Sequence, residues 1–380
     1  MAMKNPVGQA FSIVGLAAHL GRGAGRVATD AVVGGRFGLP RTVEDIDPAV
    51  LSRVMGTTVR SIRVLSRDAG TSSRGRLVLT GKNVPESVFV KVAAQTAATR
   101  LMGELGRLGQ TEVRFYRELA PQVIGVPYCY GAAFDASTGR YLLVLEDLPA
   151  ESCEFPDTLH PLSADQASLI IELLAELHAT FWGRLPRDGR GPMGWLYTPS
   201  GDVTSLLTGS LMHTSIKRLA ERTTLPVDNG RFIADNYRAV AALIDTPPHT
   251  VMHGDAHPGN MYFHGGKAGL LDWQAVRRGH PSRELAYTLI TSLTPEDRRA
   301  NQRELLDDYR RALVASGGPD LDRDDLWLRF RQGALYAYVA PLITTGMGGM
   351  QVEDIAMEGL RRGVVALDDL ETVAALKSSL

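Results

Sequence analysis

Apolar and polar residues alternate in three neighbouring segments of the first half of the chain, 61–67 (SIRVLSR), 74–81 (RGRLVLTG) and 87–93 (SVFVKVA). Such alternation is typical of β-strands that bury one face. Glycine, serine, asparagine and proline separate the segments, as turns require. Two further strands are predicted at 126–134 and 141–148, so the pattern indicates an antiparallel sheet.

After Pro149 the pattern changes, because apolar residues recur at the three- and four-residue spacing of helices. The helices predicted there cover 164–183, 229–245, 281–293, 297–315, 324–340 and 352–377. Two earlier helices are predicted at 42–56 and 97–120. The order divides an α+β chain into three parts: an N-terminal extension that is a helix or a mobile tail (1–41), a strand-rich lobe (42–148) and a helical lobe (149–380).

The composition narrows the classes of protein that this chain can represent. It has 380 residues, of which 44% are hydrophobic and 22% charged, enough for two lobes with cores of their own. The net charge of −1 gives no general attraction to nucleic acid or to an anionic membrane. The apolar segment 7–20 is too short to span a bilayer, so stable membrane insertion is not expected. Cys129 and Cys153 are the only cysteines, and we therefore expect a reducing compartment, the cytoplasm.

The segment 251–274, VMHGDAHPGNMYFHGGKAGLLDWQ, carries the strongest candidate chemistry. Asp255 follows an apolar lead-in, Asn260 lies in the same short loop, and Asp272 ends an apolar run. Phosphoryl transfer from ATP needs a carboxylate that orients the attacking hydroxyl and accepts its proton, and oxygen ligands that hold Mg²⁺. We therefore predict Asp255 as the catalytic base and Asn260 and Asp272 as Mg²⁺ ligands.

Two other interpretations of this segment are open. Asp255 alone would fit a solvated turn, since Gly-Asp pairs are common in turns. Together with His253, His257 and His264, it would also supply ligands for a zinc hydrolase site. Pro258 argues against the helix that would bring His253 and His257 together. We favour histidines that hydrogen-bond the loop backbone and hold the aspartate.

Lys91 lies inside the apolar strand 87–93, on the face of Phe89 and opposite Val90 and Val92. A lysine at such a position is either an edge residue that prevents strand association or a cation that contacts ATP phosphates. The candidate phosphotransfer segment downstream favours contact with the α- and β-phosphates.

A lysine in that role needs a carboxylate to hold it. Glu112, on the predicted helix that follows the strand, is the first candidate, and Glu104 is the second. A solvated helix face is the alternative for either residue.

The turn 70–75, GTSSRG, joins two predicted strands ahead of Lys91. Its backbone N–H groups and the hydroxyls of Ser72 and Ser73 are candidates to cradle phosphates. The alternative is an ordinary turn, because glycine and serine are common there.

Two further features give weaker signals. The backbone of Glu146, Asp147 and Leu148, at the end of the last predicted strand, is a candidate contact for adenine, and an ordinary strand exit is the alternative. Arg277 and Arg278 follow the second aspartate closely and contact either phosphate or solvent.

The segments VMHGDAHPGNMYF and GLLDWQ together resemble the aminoglycoside phosphotransferase and choline kinase superfamily. Within it, LLVLEDL, the E-x-x-F-Y of Glu112 to Tyr116, LAELHATFWG and DWQ are similar to the ecdysteroid-kinase-like branch. The similarity spans roughly residues 42–340. It implies a two-lobed protein-kinase-like fold with an antiparallel N-lobe sheet and a helix-rich C-lobe, and ATP and Mg²⁺ as cofactors.

The resemblance also implies roles for individual residues: catalysis for Asp255, metal binding for Asn260 and Asp272, phosphate binding for Lys91 paired with Glu112, and an adenine hinge at 146–148. One position departs from the family pattern. The family has an aspartate in a D-L-A segment that braces the catalytic loop, whereas SRELAY provides Glu284 here. Its longer side chain can still hydrogen-bond that backbone.

The first functional hypothesis is an ATP- and Mg²⁺-dependent kinase that phosphorylates a hydroxyl of a small organic molecule. The alternative is a nucleotide-binding pseudokinase that acts as a scaffold, although a scaffold needs none of the candidate catalytic residues. A protein kinase is disfavoured because no activation segment follows DWQ. The sequence identifies neither the acceptor nor the oligomeric state.

Overall fold

The computed structural model of the chain describes residues 6–33, 38–186, 189–349 and 351–380. The described residues form two compact units. The first unit takes its residues from 1–122, 126–153 and 272–275, and the second from 123–125, 154–271 and 276–380.

The first unit contains a five-stranded antiparallel sheet in the order β1-β2-β3-β5-β4. Its strands are β1 (Thr58–Ala69), β2 (Ser72–Lys82), β3 (Ser87–Ala93), β4 (Cys129–Phe134) and β5 (Tyr141–Glu146). Lys91 in the central strand β3 lies opposite Arg74 of β2 and Leu143 of β5. The interpretation of Lys91 as an edge residue is therefore wrong.

The helices of the first unit are α1 (Pro6–Val33), α2 (Pro48–Met55), α3 (Ala97–Leu105) and α4 (Leu108–Glu118), with 3₁₀ turns at Ala120–Gln122 and Trp273–Ala275. The single helix predicted at 97–120 is thus two helices. Arg107 has a φ of 54°, a left-handed conformation that no helix interior contains, and this residue separates them.

The core of the first unit lies between the sheet and α2. Asp47 caps α2 by accepting a hydrogen bond from the backbone N of Val50 at 2.7 Å, and Pro48 occupies the first turn, where it loses no helix hydrogen bond. The buried side chains of this core include Leu51, Val59, Leu77, Leu79, Val88, Val90, Val92, Leu142 and Val144.

The remaining strands are short, namely β6 (Cys153–Glu154), β7 (Thr250–Met252), β8 (Met261–His264), β9 (Lys267–Leu270) and β10 (Arg277–Gly279). Strands β8 and β9 form an antiparallel hairpin, and β7 pairs with β10. The helices of the second unit are α5 (Ala164–Phe181), α6 (Ser205–Leu219), α7 (Arg231–Asp235), α8 (Tyr237–Ile244), α9 (Pro281–Ser292), α10 (Pro295–Ala315), α11 (Arg323–Met347), α12 (Glu353–Asp369) and α13 (Thr372–Lys377). None of the helices in the described ranges has the length and apolar character that a membrane crossing requires.

In the second unit the helical pattern was predicted well, with three differences. The predicted helix 229–245 is interrupted at Asn236, and 352–377 is interrupted where Glu371 adopts a φ of 46°. Helix α6 was not predicted, because its serine, threonine and glycine residues weaken the helical pattern. Its burial of Met212 and Leu219 shows that tertiary packing stabilises it.

Helix α9 is central to the second unit. All of its residues except Tyr287 are buried. It begins at Pro281 after His280, whose ring accepts a hydrogen bond from the backbone N of Ser282. A Cβ atom at Gly333 of α11 would lie 3.1 Å from the Cα of Arg283, so this glycine permits the close approach of the two helices.

Helix α1 is held to the first unit by a buried charge cluster. The carboxylate of Asp30 accepts hydrogen bonds from the guanidinium groups of Arg100 and Arg140, and all three residues are buried. Burial alone would raise the pKa of Asp30, but the two arginines hold it below its usual value. Helix α1 is therefore docked through Asp30.

We expect Asp30→Asn to lower the free energy of unfolding by about 3 kcal/mol, because it leaves two buried arginines without a counter-charge. Denaturant titration measures this loss, and hydrogen exchange should become faster in α1. Asp68→Asn is the matched control, since Asp68 forms an ion pair with Arg74 while its own side chain is 69% exposed. A loss for Asp30→Asn no larger than that of the control would contradict the docking role.

Candidate active site

In the first unit, the ammonium group of Lys91 is bound by two carboxylates. Its Nζ lies 2.7 Å from Oε1 of Glu112 and 3.0 Å from Oδ1 of Asp272. The side chains of Lys91 and Glu112 are 4% and 1% exposed, whereas that of Asp272 is 20% exposed. Glu104, the second candidate partner, forms an ion pair with Arg26 instead.

The pKa values of these groups follow from the contact of two carboxylates, Glu112 and Asp272, with one ammonium group, that of Lys91. Burial alone would lower the pKa of Lys91, but the charges of Asp272 and Glu112 raise it above its usual value. Burial, together with the nearby charge of Asp272, raises the pKa of Glu112 to about 7 despite the opposing effect of Lys91. The two carboxylates therefore favour the charged form of Lys91, and Asp272 is the more accessible of the two.

Trp273 fixes the segment that carries Asp272. Its ring stacks on that of Phe115 in α4, with the centroids 3.9 Å apart and the planes inclined by 5°. Glu112 lies on the same helix. Asp272 itself has a φ of 58°, a conformation that aspartate tolerates better than most residues. Helix α4 therefore positions both acidic partners of Lys91.

The structure corrects the predicted phosphate turn. Ser72 and Ser73 are not in the turn but in β2, where they are buried and lie opposite Ala93 and Val92 of β3. Only Gly70 and Thr71 separate β1 from β2. The two serines are therefore not placed on an exposed turn where their hydroxyls would cradle a phosphate.

The predicted hinge follows the end of β5. Glu146 is the last residue of this strand, and its side chain accepts a hydrogen bond from the backbone N of Tyr128 at 3.0 Å. Asp147 forms an ion pair with Arg76 at 2.9 Å, and the same guanidinium reaches the carbonyl of Leu148 at 3.4 Å. Arg76 thus orients the two residues that leave the sheet.

In the second unit, the described residues hold only one oxygen of the Asp255 carboxylate at a short distance. The hydroxyl of Tyr287 donates a hydrogen bond to its Oδ1 at 2.8 Å. Its Oδ2 has only long contacts, at 3.5 Å to Asn260 and 3.8 Å to His257, and the side chain is 31% exposed. Desolvation and the charge of Asp255 raise the pKa of the Tyr287 phenol, which therefore remains a donor.

Asn260 closes the same loop. Its Nδ2 donates to the backbone carbonyl of Asp255 at 2.9 Å, and its own backbone carbonyl accepts from Leu271, the residue before Asp272, at 2.8 Å. This arrangement leaves the side-chain oxygen of Asn260 without a hydrogen bond within the part of the chain that the structure describes.

His253 and His257 bond the loop backbone. One ring nitrogen of His253 bonds the carbonyl of Leu271 at 2.8 Å, and the other accepts from the backbone N of Asp255 at 3.3 Å. His257 accepts from Gly259 at 3.1 Å. Within the described ranges, no three histidine, cysteine or acidic side chains are grouped as metal ligands.

Glu284 joins this loop to the helical core. Its Oε2 accepts from the backbone N of His253 at 3.1 Å, and its Oε1 accepts from that of Gly254 at 2.6 Å. The ring of His178 in α5 bonds Oε2 at 2.9 Å and the hydroxyl of Tyr309 in α10 on its other side, also at 2.9 Å. Glu284 therefore reaches the loop backbone that the family aspartate is expected to brace.

Sequence reasoning did not identify His178, Tyr287 or Thr288. Thr288 donates to the carbonyl of Ala256 at 2.9 Å, so three residues of α9 contact the loop. The sequence did contain a signal that these residues act together, because Glu284, Tyr287 and Thr288 have the spacing of one helix face. The histidine of LAELHATFWG was part of the resemblance but had no assigned role.

The Glu284 carboxylate should make stability depend on pH. Burial alone would raise its pKa, but the bonds and charge of His178, the charge of His253 and the bond from Gly254 hold it below the usual 4.5. A lowered pKa contributes stability above the pKa of the unfolded chain, and this contribution disappears as the pH falls through the folded-state pKa. We expect Glu284→Gln to destabilise the protein most near neutral pH and least below about pH 4.

Denaturant titrations of wild type and Glu284→Gln over this pH range test the expectation. Glu172→Gln is the matched control, because Glu172 is exposed on α5. A difference between wild type and Glu284→Gln that stays constant or grows on acidification would contradict the assignment.

Solved structures with the same fold include choline kinase LicA from Streptococcus pneumoniae, with 16% identity, a TM-score of 0.50, and coverage of 82% of this chain and 94% of that one. A putative aminoglycoside phosphotransferase from Ralstonia eutropha has 15% identity, a TM-score of 0.52, and coverage of 84% and 96%. Amicoumacin kinase hAmiN, in complex with AMP-PNP, Ca²⁺ and Ami, has 14% identity, a TM-score of 0.51, and coverage of 81% and 88%.

These similarities confirm the predicted α+β, protein-kinase-like fold. No curated protein matches the chain. The assignment to the ecdysteroid-kinase-like branch stays a prediction. The model of the APH phosphotransferase enzyme family matches residues 64–327, more than half of the 380 residues. The chain therefore belongs to the phosphotransferase enzyme family.

Proposed function

We propose that this phosphotransferase moves the γ-phosphate of ATP to a hydroxyl of a small organic molecule and requires Mg²⁺. The observation that carries the proposal is the state of Asp255. One carboxylate oxygen is fixed by Tyr287 and the loop is fixed by Glu284, while the other oxygen is left with long contacts and partial exposure. An oriented carboxylate with one available oxygen suits a base that accepts a hydroxyl proton.

The nucleotide would be held by residues of the first unit. Lys91 provides a charge for the α- and β-phosphates, and its two carboxylate partners keep it charged and oriented. The backbone of residues 146–148 is the proposed adenine contact. Ser72 and Ser73 are not included, because both are buried in β2. The AMP-PNP and Ca²⁺ complex of the amicoumacin kinase supports a nucleotide and a divalent cation as cofactors.

The proposed Mg²⁺ ligands are Asp272 and Asn260. Hard divalent cations prefer oxygen ligands, and both residues offer one. Asp272 is the more exposed carboxylate beside Lys91, and the side-chain oxygen of Asn260 accepts no hydrogen bond from another described residue. Bound Mg²⁺ would offset the charge of the phosphates. The donor chemistry therefore fits the cation.

The cytoplasmic location remains a prediction, and the acceptor is assigned only as far as a hydroxyl-bearing small molecule. The alternative function is a nucleotide-binding scaffold. A scaffold requires no available carboxylate at Asp255, so the behaviour of this residue separates the two hypotheses.

Asp255→Asn should bind ATP nearly as wild type does but transfer phosphate at least about a hundredfold more slowly, because the amide cannot accept the proton. ADP release with ATP and Mg²⁺ is measured across aminoglycosides, macrolides, amino alcohols, sugars and sterols. Asp235→Asn is the control, since the side chain of Asp235 is 55% exposed. Acceptor-stimulated release that persists in Asp255→Asn would contradict the catalytic role, and nucleotide binding without stimulated release would favour the scaffold.

Asp272→Asn should reduce the gain in ATP affinity that Mg²⁺ provides, by about tenfold or more, because a neutral amide is a weaker ligand for a hard cation. Titration of ATP with Mg²⁺ and with EDTA gives this gain directly. Lys91→Met should instead weaken nucleotide binding under both conditions, because it removes a phosphate contact. An unchanged Mg²⁺ gain in Asp272→Asn would exclude this aspartate as a metal ligand.

A further inference from the structure

Arg283, in the first turn of α9, is a buried cation that has no counter-ion among the described residues. Arg283 is only 8% exposed, and its guanidinium carbon lies 3.7 Å from the ring centroid of Tyr336 in α11. Its Nε is buried and has no hydrogen-bond partner in the ranges that the structure describes. Among the described residues, no carboxylate lies within ion-pair distance of its guanidinium.

The other buried arginines within the described ranges are all compensated by carboxylates. Arg100 and Arg140 contact Asp30, Arg298 contacts Asp369, and Arg362 contacts Glu358. Burying a charge is unfavourable unless it is paired, so uncompensated buried cations are rare. Stacking on an aromatic ring compensates only part of this loss. Arg283 is therefore available to a negative group that no described residue supplies.

Arg283 lies close to the proposed reaction site. It precedes Tyr287 by four residues, and such residues are neighbours on one helix face, with Cβ atoms about 6 Å apart. Tyr287 donates the hydrogen bond that fixes Asp255. The charge of Arg283 also acts on the phenol of Tyr287, where it opposes the rise in pKa caused by desolvation and by Asp255.

Besides Arg283, the charged groups that act on Tyr336 are Arg277 and Asp245, and neither forms an ion pair with Arg283 within the described ranges. Arg277 lies opposite Met252 in the pairing of β10 with β7, and its guanidinium is 5.8 Å from the ring centroid of Tyr197. Its charge acts on Tyr336, as that of Arg283 does. The acidic group that also acts on Tyr336 is Asp245, which accepts a hydrogen bond from the backbone N of Ser200 at 2.6 Å.

We propose that the acceptor carries an anionic oxygen group, such as a carboxylate or a sulfonate, which Arg283 binds while the acceptor hydroxyl faces Asp255. This inference rests on the proposed function and specifies its substrate class. The planar guanidinium can donate two parallel hydrogen bonds to such a group. The acceptor class is thus a hydroxylated acid.

The test measures acceptor binding to protein saturated with AMP-PNP and Mg²⁺, so that anions do not occupy the nucleotide-phosphate site. Isothermal titration compares acids with neutral partners of nearly the same shape. The probes are cholate and taurocholate against methyl cholate, and gluconate against gluconamide. We expect at least one acid to bind about tenfold or more tightly than its neutral analogue. The negative charge of the acid offsets the desolvation penalty of the buried Arg283, whereas the neutral analogue does not.

Two variants assign this preference to Arg283. Arg283→Gln should abolish it, and Arg283→Lys should retain part of it, because lysine keeps the charge but loses the two-nitrogen geometry. Arg303→Gln is the matched control. Arg303 also stacks on an aromatic ring, at 3.4 Å from the centroid of Trp327, but it is exposed on α10. Thermal unfolding and AMP-PNP affinity verify that each variant is folded.

The inference is overturned if no acid in the panel binds, if acids and neutral partners bind equally, or if the preference persists in Arg283→Gln. It is also overturned if Arg283→Gln remains folded but weakens AMP-PNP binding and leaves acid binding unchanged, since Arg283 would then contact the nucleotide. Failure of the proposed function is a different result. It would appear as absent AMP-PNP binding in wild type or as ADP release that is unaffected by Asp255→Asn.

Discussion

The carboxylate of Glu284 is the interaction on which the candidate catalytic loop depends. It is buried, and its two oxygens bind two consecutive backbone N–H groups of the loop and the ring of His178. A buried carboxylate is stable only when such donors replace its lost hydration. Helix α9 therefore cannot shift without breaking a costly set of bonds. Because the same helix carries Tyr287 and Thr288, the loop backbone and the Asp255 carboxylate are fixed together.

Much of the secondary structure could be predicted from the sequence because the physical signal was local. Strand β3 was predicted with its observed bounds, since alternation and flanking turn residues agree there. The errors arose where distant packing decides. Arg107 breaks a helical pattern through a left-handed backbone that the sequence does not signal. Ser72 and Ser73 look like turn residues, yet they are buried in β2, where backbone pairing with β3 outweighs the weak strand preference of serine.

The residues of the candidate site also fall into those that the local sequence predicts and those that depend on tertiary contacts. Asp255, Asn260 and Asp272 could be singled out because their chemistry and close spacing are visible in one segment. The contact of Lys91 with Glu112 was anticipated, but its contact with Asp272 was not, since it joins positions 181 residues apart. His178 and Tyr287 also act through tertiary contacts. A pattern of residue types shows which groups are available, whereas the fold decides which of them meet.

The uncompensated charge of Arg283 is consistent with the difficulty of the proposed reaction. An acid that approaches a carboxylate base and a polyphosphate meets repulsion from both, and repulsion is strong where water is excluded. A cation one helical turn from Tyr287 would counter this repulsion at the acid group and leave the hydroxyl end near Asp255. Pairing Arg283 with a carboxylate of the chain would stabilise the free protein, but that carboxylate would compete with the acid group of the acceptor for Arg283. The proposed binding of an anionic acceptor therefore accounts for an arginine that no described carboxylate pairs with, at some loss of stability in the free protein.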